Sequence, residues 1–344
     1  VDISEFDYDL PDNLIAQEPL AERDASRMLV VDRATQSWRD SNFRDLPAQL
    51  AAGDVLVINN TRVFPARLRG TRLPFGGSVE LLLAREVARN TWEALARPAR
   101  RLRVGDQIEF AGGLLHAHVT GALDSGVRLI EFDTDANLDD VIDQIGEPPL
   151  PPYINRPQTR DDDRHRYQTV YAKERGAIAA PTAGLHFTPR IFDAVKQGGV
   201  LVEEITLHVG YGTFEPVRVA NLNKHRVAAE RFSVSKETAA NLSRAKQRGN
   251  RIIAIGTTTA RALESAASSK GELEAQSGVA SLTVIPGYEF RIVDGLLTNF
   301  HLPKSSLLVL VSAFAGRELT LAAYEHAVRE KFRFYSYGDC MLIF

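Results

Sequence analysis

Two hydrophobic textures divide the chain. Between about Thr61 and Ile130, apolar and polar positions alternate in short runs that end at turn residues. Ser78–Leu83 follows Gly76 and Gly77, and Trp92–Leu95 follows Arg89 and Asn90. Gln107–Phe110 leads into Gly112 and Gly113, and then come Leu115–Val119 and Val127–Phe132. Period-two runs at this spacing predict short antiparallel strands, closed as a barrel or stacked as a sandwich. Paired glycines supply the positive φ angles of tight hairpins.

From Ala177 onward the texture changes to apolar strands separated by helical periods, which predicts a layered α/β sheet. Leu201–His208 reads as a strand. Lys236–Arg248 reads as a helix, with Ser235 as N-cap and Gly249 at its end. Arg251–Ile255 reads as a buried strand that runs into Gly256-Thr257-Thr258-Thr259 and a helix through Ser265. Leu319–Lys331 is the last predicted helix, and a terminal strand is predicted from Phe332. The first 60 residues also read as α/β material. The simplest architecture is one α/β domain, residues 1–61 and 154–344, split by an inserted β domain, residues 62–153. The run from Glu147 to Tyr153 contains four prolines, which favour an extended return linker. Ser268–Gly278, rich in Ser, Glu and Gly, reads as a surface loop.

The 344 residues are 44% hydrophobic and 25% charged, enough for two globular cores. No apolar run approaches the roughly 18–20 residues of a membrane span. The longest, Leu307–Ala315, lies between Pro303 and Gly316 and reads as a buried element. The acidic start (Asp2, Glu5, Asp7, Asp9) does not read as a signal peptide, and the expected address is cytoplasmic. The single cysteine, Cys340, excludes an internal disulfide and a CxxC metal site. With a net charge of −3, binding to nucleic acid requires local positive charge. Arg97, Arg100, Arg101 and Arg103 form the first such cluster. Arg156, Arg160, Arg164, His165 and Arg166 form a second, diluted by Asp161, Asp162 and Asp163.

Common cofactor signatures fail. Gly210-Tyr211-Gly212 begins like a dinucleotide fingerprint, but Glu215 stands where the third glycine belongs, and no GxxxxGK[ST] occurs. His116 and His118 share one face of a predicted exposed hairpin, and no metal site is expected. The segment Ala177–Thr188 is more informative. A small-residue strand runs into Pro181, Gly184 and His186, just before a helix that Pro189 opens. Gly184 lets backbone approach a ligand, and His186 sits at a strand-to-helix junction, where open α/β sheets bind ligands. A plain turn with a core histidine is the competing reading.

Three further motifs accompany it: Thr206–Phe214 with His208 before two glycines, Thr298–Ser306 with His301, and Tyr335–Asp339. With Leu56–Arg67 and Phe6–Pro11, they cover nearly the whole chain. Together they resemble the S-adenosylmethionine:tRNA ribosyltransferase-isomerase family of queuosine biosynthesis. The resemblance implies an α/β domain carrying a small β-barrel. It also implies S-adenosylmethionine as co-substrate, with no prosthetic group, and a tRNA partner carrying 7-aminomethyl-7-deazaguanine at the wobble position. The ribosyl group is transferred and isomerised to give epoxyqueuosine-tRNA, and adenine and methionine leave.

Such a reaction needs a base for the C5′ proton that the sulfonium acidifies. It also needs a proton donor for departing adenine and a pocket that excludes water. His186 and His208 are the first candidates for proton transfer and His301 the third, because imidazole titrates near neutral pH. Gly256, Thr257 and Thr258 offer helix N-terminal amides to the methionyl carboxylate. Simple N-capping is the alternative there. Arg261 is a candidate carboxylate clamp. Asp294 and Glu230 are candidates to orient an imidazole or face the sulfonium. Phe187, Phe214, Phe300 and Tyr337 are candidate stacking rings.

The sequence departs from the family pattern around His225, where His-x-Met-His-x-Glu is usual. Val227 and Ala228 replace the methionine and the second histidine. Thr259-Ala260 stands for Ser-Val, and Cys340 for Ala. Two other readings remain open at this level: an S-adenosylmethionine-dependent RNA methyltransferase and a noncatalytic tRNA-binding module.

Overall fold

The computed structural model describes residues 1–74, 76–123, 126–155, 160, 162–214, 217–268 and 271–344, the side chains of Thr213 and Phe214 excepted. First come β1 (Arg27–Asp32), β2 (Ser37–Asn42), β3 (Val55–Asn59) and β4 (Thr61–Val63), with 3-10 turns before β1 and between β2 and β3 and no α-helix. The expected helical content is missing from this segment. Pro11 precedes one of its turns and Pro47 lies inside another, and proline disfavours continuation of an α-helix.

Six strands then close into an antiparallel barrel: β5 (Arg67–Leu73), β6 (Gly77–Ala88), β7 (Thr91–Arg97), β8 (Gln107–Phe110), β9 (Leu115–Ala122) and β10 (Val127–Asp133). Alternate residues turn inward, as the period-two pattern requires. Leu81, Leu83, Ile108, Phe110, Val119 and Ile130 fill the interior. His116 faces out. Each fully buried Leu, Ile or Phe there contributes about 1.5–3 kcal/mol relative to exposure.

After the barrel come α1 (Leu138–Ile145), α2 (Asp163–Arg166), β11 (Glu174–Ala177), α3 (Pro189–Gln197), β12 (Leu201–Leu207), β13 (Glu230–Val234) and α4 (Lys236–Gln247). Then follow β14 (Ile252–Ile255), α5 (Thr257–Ala266), β15 (Gln276–Ala280), β16 (Gly295–Asn299), α6 (Ser306–Ala315), α7 (Arg317–Arg329) and β17 (Cys340–Ile343). Nine strands form one sheet, in the order β15-β13-β12-β3-β14-β16-β17-β1-β2. Its centre, β12-β3-β14-β16, is parallel. β3 precedes the barrel in sequence while β12 and β14 follow it, so the segments on either side of the barrel share one sheet.

Every residue of β3, β14, β16 and β17 is buried. Both faces of these strands are covered, which is why they are apolar along most of their length. Val55, Val57, Ala254 and Leu296 pack into one layer, and Leu56, Ile58, Ile253 and Leu297 into the other. Among the described residues no single helix is long and apolar enough to cross a membrane. α6 and α7 pass by length and composition only as a pair bent by 116°, and most of α6 is buried.

Two expectations are corrected. The predicted terminal strand begins at Cys340, because Phe332–Asp339 folds as a loop. Asp339 holds it, accepting from the backbone N–H groups of Arg333 at 2.8 Å and Arg27 at 2.9 Å. The Ser/Glu/Gly-rich segment is also not all loop. Gln276–Gly278 belongs to β15, which pairs antiparallel with β13, and the ladder overrides low strand propensity.

Candidate active site

A cleft opens at the C-terminal edge of β14 and β16, where open α/β sheets bind ligands. Gly256, Thr257 and Thr258 line it at the start of α5, with Asn299 and His301 just past β16. Gly256 is the N-cap at φ 93°, a conformation natural to glycine. It offers no side chain to cap the helix, so the first amides of α5 lack an intrahelical acceptor. Pro181–Ala183 form the facing wall, and Tyr153, Tyr335 and Ser336 close it. Tyr335 holds φ 75°, an unusual backbone for a bulky residue. Its ring meets Tyr153 edge to face.

The three histidines sit at different depths. His301 lines the cleft. Its Nε2 is 2.8 Å from Thr298 Oγ1, and its backbone N–H donates to the Tyr324 hydroxyl at 3.1 Å. Burial pulls its pKa down to about 3. His186 lies one layer behind. Its Nδ1 is 3.0 Å from Ser26 Oγ, and its Nε2 is 3.3 Å from Asn299 Nδ2. An amide nitrogen can only donate, so Nε2 accepts and Nδ1 carries the proton. Burial is the main cause of its pKa of about 4. His208 is half-buried beside the start of β4, with Nδ1 2.9 Å from Thr61 Oγ1. Desolvation first, and Arg231 second, lower its pKa. Neither His186 nor His208 lines the cleft.

Several expected ligand contacts are engaged elsewhere. Gly184 accommodates protein rather than ligand, since a Cβ there would stand 2.0 Å from Tyr171 Oη. Gly184→Ala is expected to destabilise the fold by about 1–3 kcal/mol through overpacking. Tyr171→Phe should recover part of that loss by removing the clashing atom, as urea unfolding of the single and double variants would measure. Arg261 is buried and ion-paired with Glu230, whose Oε1 also accepts the Gly210 N–H at 2.8 Å. It is therefore not available as a carboxylate clamp. Asp294 sits at the opposite, N-terminal edge of β14 and β16, where it accepts the Ile252 N–H at 2.9 Å.

Phe187 is fully buried among Phe43, Tyr171 and Phe192 and cannot stack on a ligand. Tyr337 is buried edge to face on Tyr167. Phe300 does line the cleft. The Phe214 side chain lies outside the described residues, as does Arg156. Among the described residues no three His, Cys, Asp or Glu side chains converge as a metal site would need.

This arrangement has clear relatives. Residues 3–343 match the family described as queuosine biosynthesis protein. The chain is 47% identical, over 341 residues and 99% of both chains, to S-adenosylmethionine:tRNA ribosyltransferase-isomerase of Halothermothrix orenii. The crystal structure of S-adenosylmethionine tRNA ribosyltransferase from Thermotoga maritima is 37% identical. It matches 99% of this chain and 100% of that one, with a TM-score of 0.57.

The chain belongs to the S-adenosylmethionine:tRNA ribosyltransferase-isomerase family.

Within that family pattern, the departure at Ala228 has a local setting. A Cβ on Gly212 would come within 2.2 Å of the Ala228 Cβ, so the Gly210–Gly212 turn lies directly against this small side chain. Nothing in the structure explains why alanine replaces histidine. Sequence reasoning missed Asn299, Tyr153 and Tyr335 as cleft residues. Asn299 had a signal, as a polar group ending an apolar strand. Tyr153 reads as linker from its prolines, and Tyr335 reaches the cleft through a backbone conformation that its residue type does not suggest.

Proposed function

We propose that the cleft binds S-adenosylmethionine and that the enzyme transfers its ribosyl group to tRNA. The acceptor is the aminomethyl nitrogen of 7-aminomethyl-7-deazaguanine at the wobble position, and adenine and methionine are released. The observation that carries this reading is the meeting of the uncapped α5 N-terminus, Asn299 and His301 at one sheet edge. We also propose the domain division 1–61, 62–153 and 154–344, with the barrel as an insertion.

His301 is the proton-transfer residue we favour, because it alone of the three histidines lines the cleft. Burial keeps its ring neutral at physiological pH, so it carries the unprotonated nitrogen that removal of the C5′ proton requires. An imidazolium is not available to protonate adenine. We assign that step to a cleft hydroxyl. Burial raises the Tyr335 pKa to about 12 and that of Tyr153 well above the ordinary value, so both stay protonated. His186 and His208 act as positioning residues, the first through Asn299 and the second through Thr61. The reading is tested by incubating the enzyme with S-adenosylmethionine and tRNA carrying the aminomethyl base. Free adenine and methionine should appear in equal amount, and S-adenosylhomocysteine with methylated tRNA would replace this reading with a methyltransferase.

For tRNA, Arg97, Arg100, Arg101 and Arg103 remain our choice. All four are exposed, and none has an ion pair among the described residues. The competing cluster is committed internally: Arg160 pairs with Glu18 at 2.7 Å, Arg164 donates to the Asp143 carbonyl at 2.8 Å, and Arg166 donates to the Ala21 carbonyl at 3.1 Å. Replacing the four arginines by glutamine is expected to weaken tRNA binding. It should flatten the log–log salt slope by about one unit at most for each phosphate that is no longer neutralised. Binding of S-adenosylmethionine alone should not change. Titrations at several salt concentrations would check this, and an unchanged slope would move the tRNA surface elsewhere.

A further inference from the structure

The polar residues of the cleft carry an unmet demand. Asn299 is 2% exposed, and its carboxamide orientation is fixed from behind. Nδ2 faces two acceptors, His186 Nε2 at 3.3 Å and the Asp339 carbonyl at 3.4 Å. Oδ1 is left buried, with no hydrogen-bond partner among the described residues, in a residue that lines the cleft. A buried acceptor without a donor is costly. This one calls for an N–H group that arrives with a ligand.

A second demand of opposite sense stands beside it. The first-turn amides of α5 have no side-chain cap, and Thr257 and Thr258 line the same cleft. β14 and β16 are parallel, with Ile255 opposite Leu297. The Gly256 N–H still bonds the Leu297 carbonyl at 2.7 Å, so the two strand ends stay side by side, about 4.8 Å apart. An acceptor without a partner among the described residues therefore lies one strand away from the uncapped N-terminal amides of α5. An α-amino acid presents the complementary pair, with its ammonium and carboxylate on one carbon. Among the described residues no Asp, Glu, Lys or Arg lines the cleft, and a head group that is neutral as a zwitterion suits such walls.

We propose that Asn299 Oδ1 accepts a hydrogen bond from the α-ammonium group of S-adenosylmethionine while the α5 amides hold its carboxylate. His186 then has a defined role, because its unprotonated Nε2 holds Asn299 in the orientation that presents oxygen. The inference rests on the proposed use of the cleft and names the end of the substrate that each wall receives. It also explains how a histidine outside the cleft can matter to binding.

The test is a binding cycle by calorimetry on the whole enzyme. S-adenosylmethionine is compared with its analogue lacking the α-amino group, in the wild type, Asn299→Ala and Asn299→Asp. The wild type should prefer the amino-bearing ligand by about tenfold or more, the scale of one charge-assisted hydrogen bond. Asn299→Ala should reduce the preference to about onefold. Asn299→Asp, which keeps an acceptor oxygen, should retain it. No preference in the wild type, a preference that survives in Asn299→Ala, or one lost in Asn299→Asp would each overturn the assignment. If Asn299→Ala fails to fold, the wild-type ratio and Asn299→Asp still decide. Failure of the wild type to bind S-adenosylmethionine at all would instead sink the proposed use of the cleft.

Discussion

Replacing His301 by glutamine is expected to lower turnover by roughly 10²-fold or more, the usual scale for loss of a positioned acid or base. Glutamine keeps a polar partner for Thr298 but has no titratable nitrogen. The fold should survive, because His301 lines a cleft rather than filling a core. The pH profile adds a second readout. Burial lowers the ring's pKa to about 3, so its basic form is fully present above that value. No acid limb from this group should appear between about pH 5 and 8. Near-native turnover of His301→Gln, measured as adenine release under saturating substrates, would remove His301 from the chemistry.

Mild acid is expected to destabilise the fold through two buried neutral rings. His186 has a folded pKa of about 4 against an ordinary 6.5, and His301 about 3 against the same value. Above pH 6.5 both rings are neutral, folded or unfolded, and neither affects stability. As pH falls below 6.5 the unfolded chain takes up protons first, and unfolding becomes easier. The loss grows until about pH 4 for His186 and about pH 3 for His301. At about 1.4 kcal/mol per pKa unit, His186 then accounts for roughly 3 kcal/mol and His301 for roughly 5 kcal/mol. That is a large share of a typical folding free energy of about 5–15 kcal/mol. Urea unfolding at pH 7.5, 5.5 and 4.5 would show it. His186→Gln should have a shallower decline than the wild type over this range, and an equally steep decline would mean that His186 does not titrate as described.

The sequence was most legible where one physical rule dominated. Alternation and paired glycines mark the barrel strands, and the apolar run Arg251–Ile255 marks β14. Legibility failed where a distant group decided the outcome. Asp339 holds Phe332–Asp339 in a loop that the apolar residues there do not announce. Gly184 looked like a place for a ligand, but Tyr171, which arrives from outside that turn, occupies the space. Arg261 looked like a free clamp because its partner Glu230 is distant in sequence. Motif position puts His186 and His208 ahead of His301, although all three end strands or follow turns. Depth separates them, and depth depends on Ser26, Thr61 and Thr298, which the fold brings from three separate segments.

The central claim is that S-adenosylmethionine gives up its ribosyl carbons at this cleft. Isotope tracing tests it most directly. The enzyme is supplied with tRNA carrying the aminomethyl base and S-adenosylmethionine labelled in either the ribose or the methyl group, and the nucleosides are then analysed by mass. The account predicts ribose label in the modified base and methyl label only in free methionine. Methyl label in the tRNA, with the ribose label retained in S-adenosylhomocysteine, would contradict it.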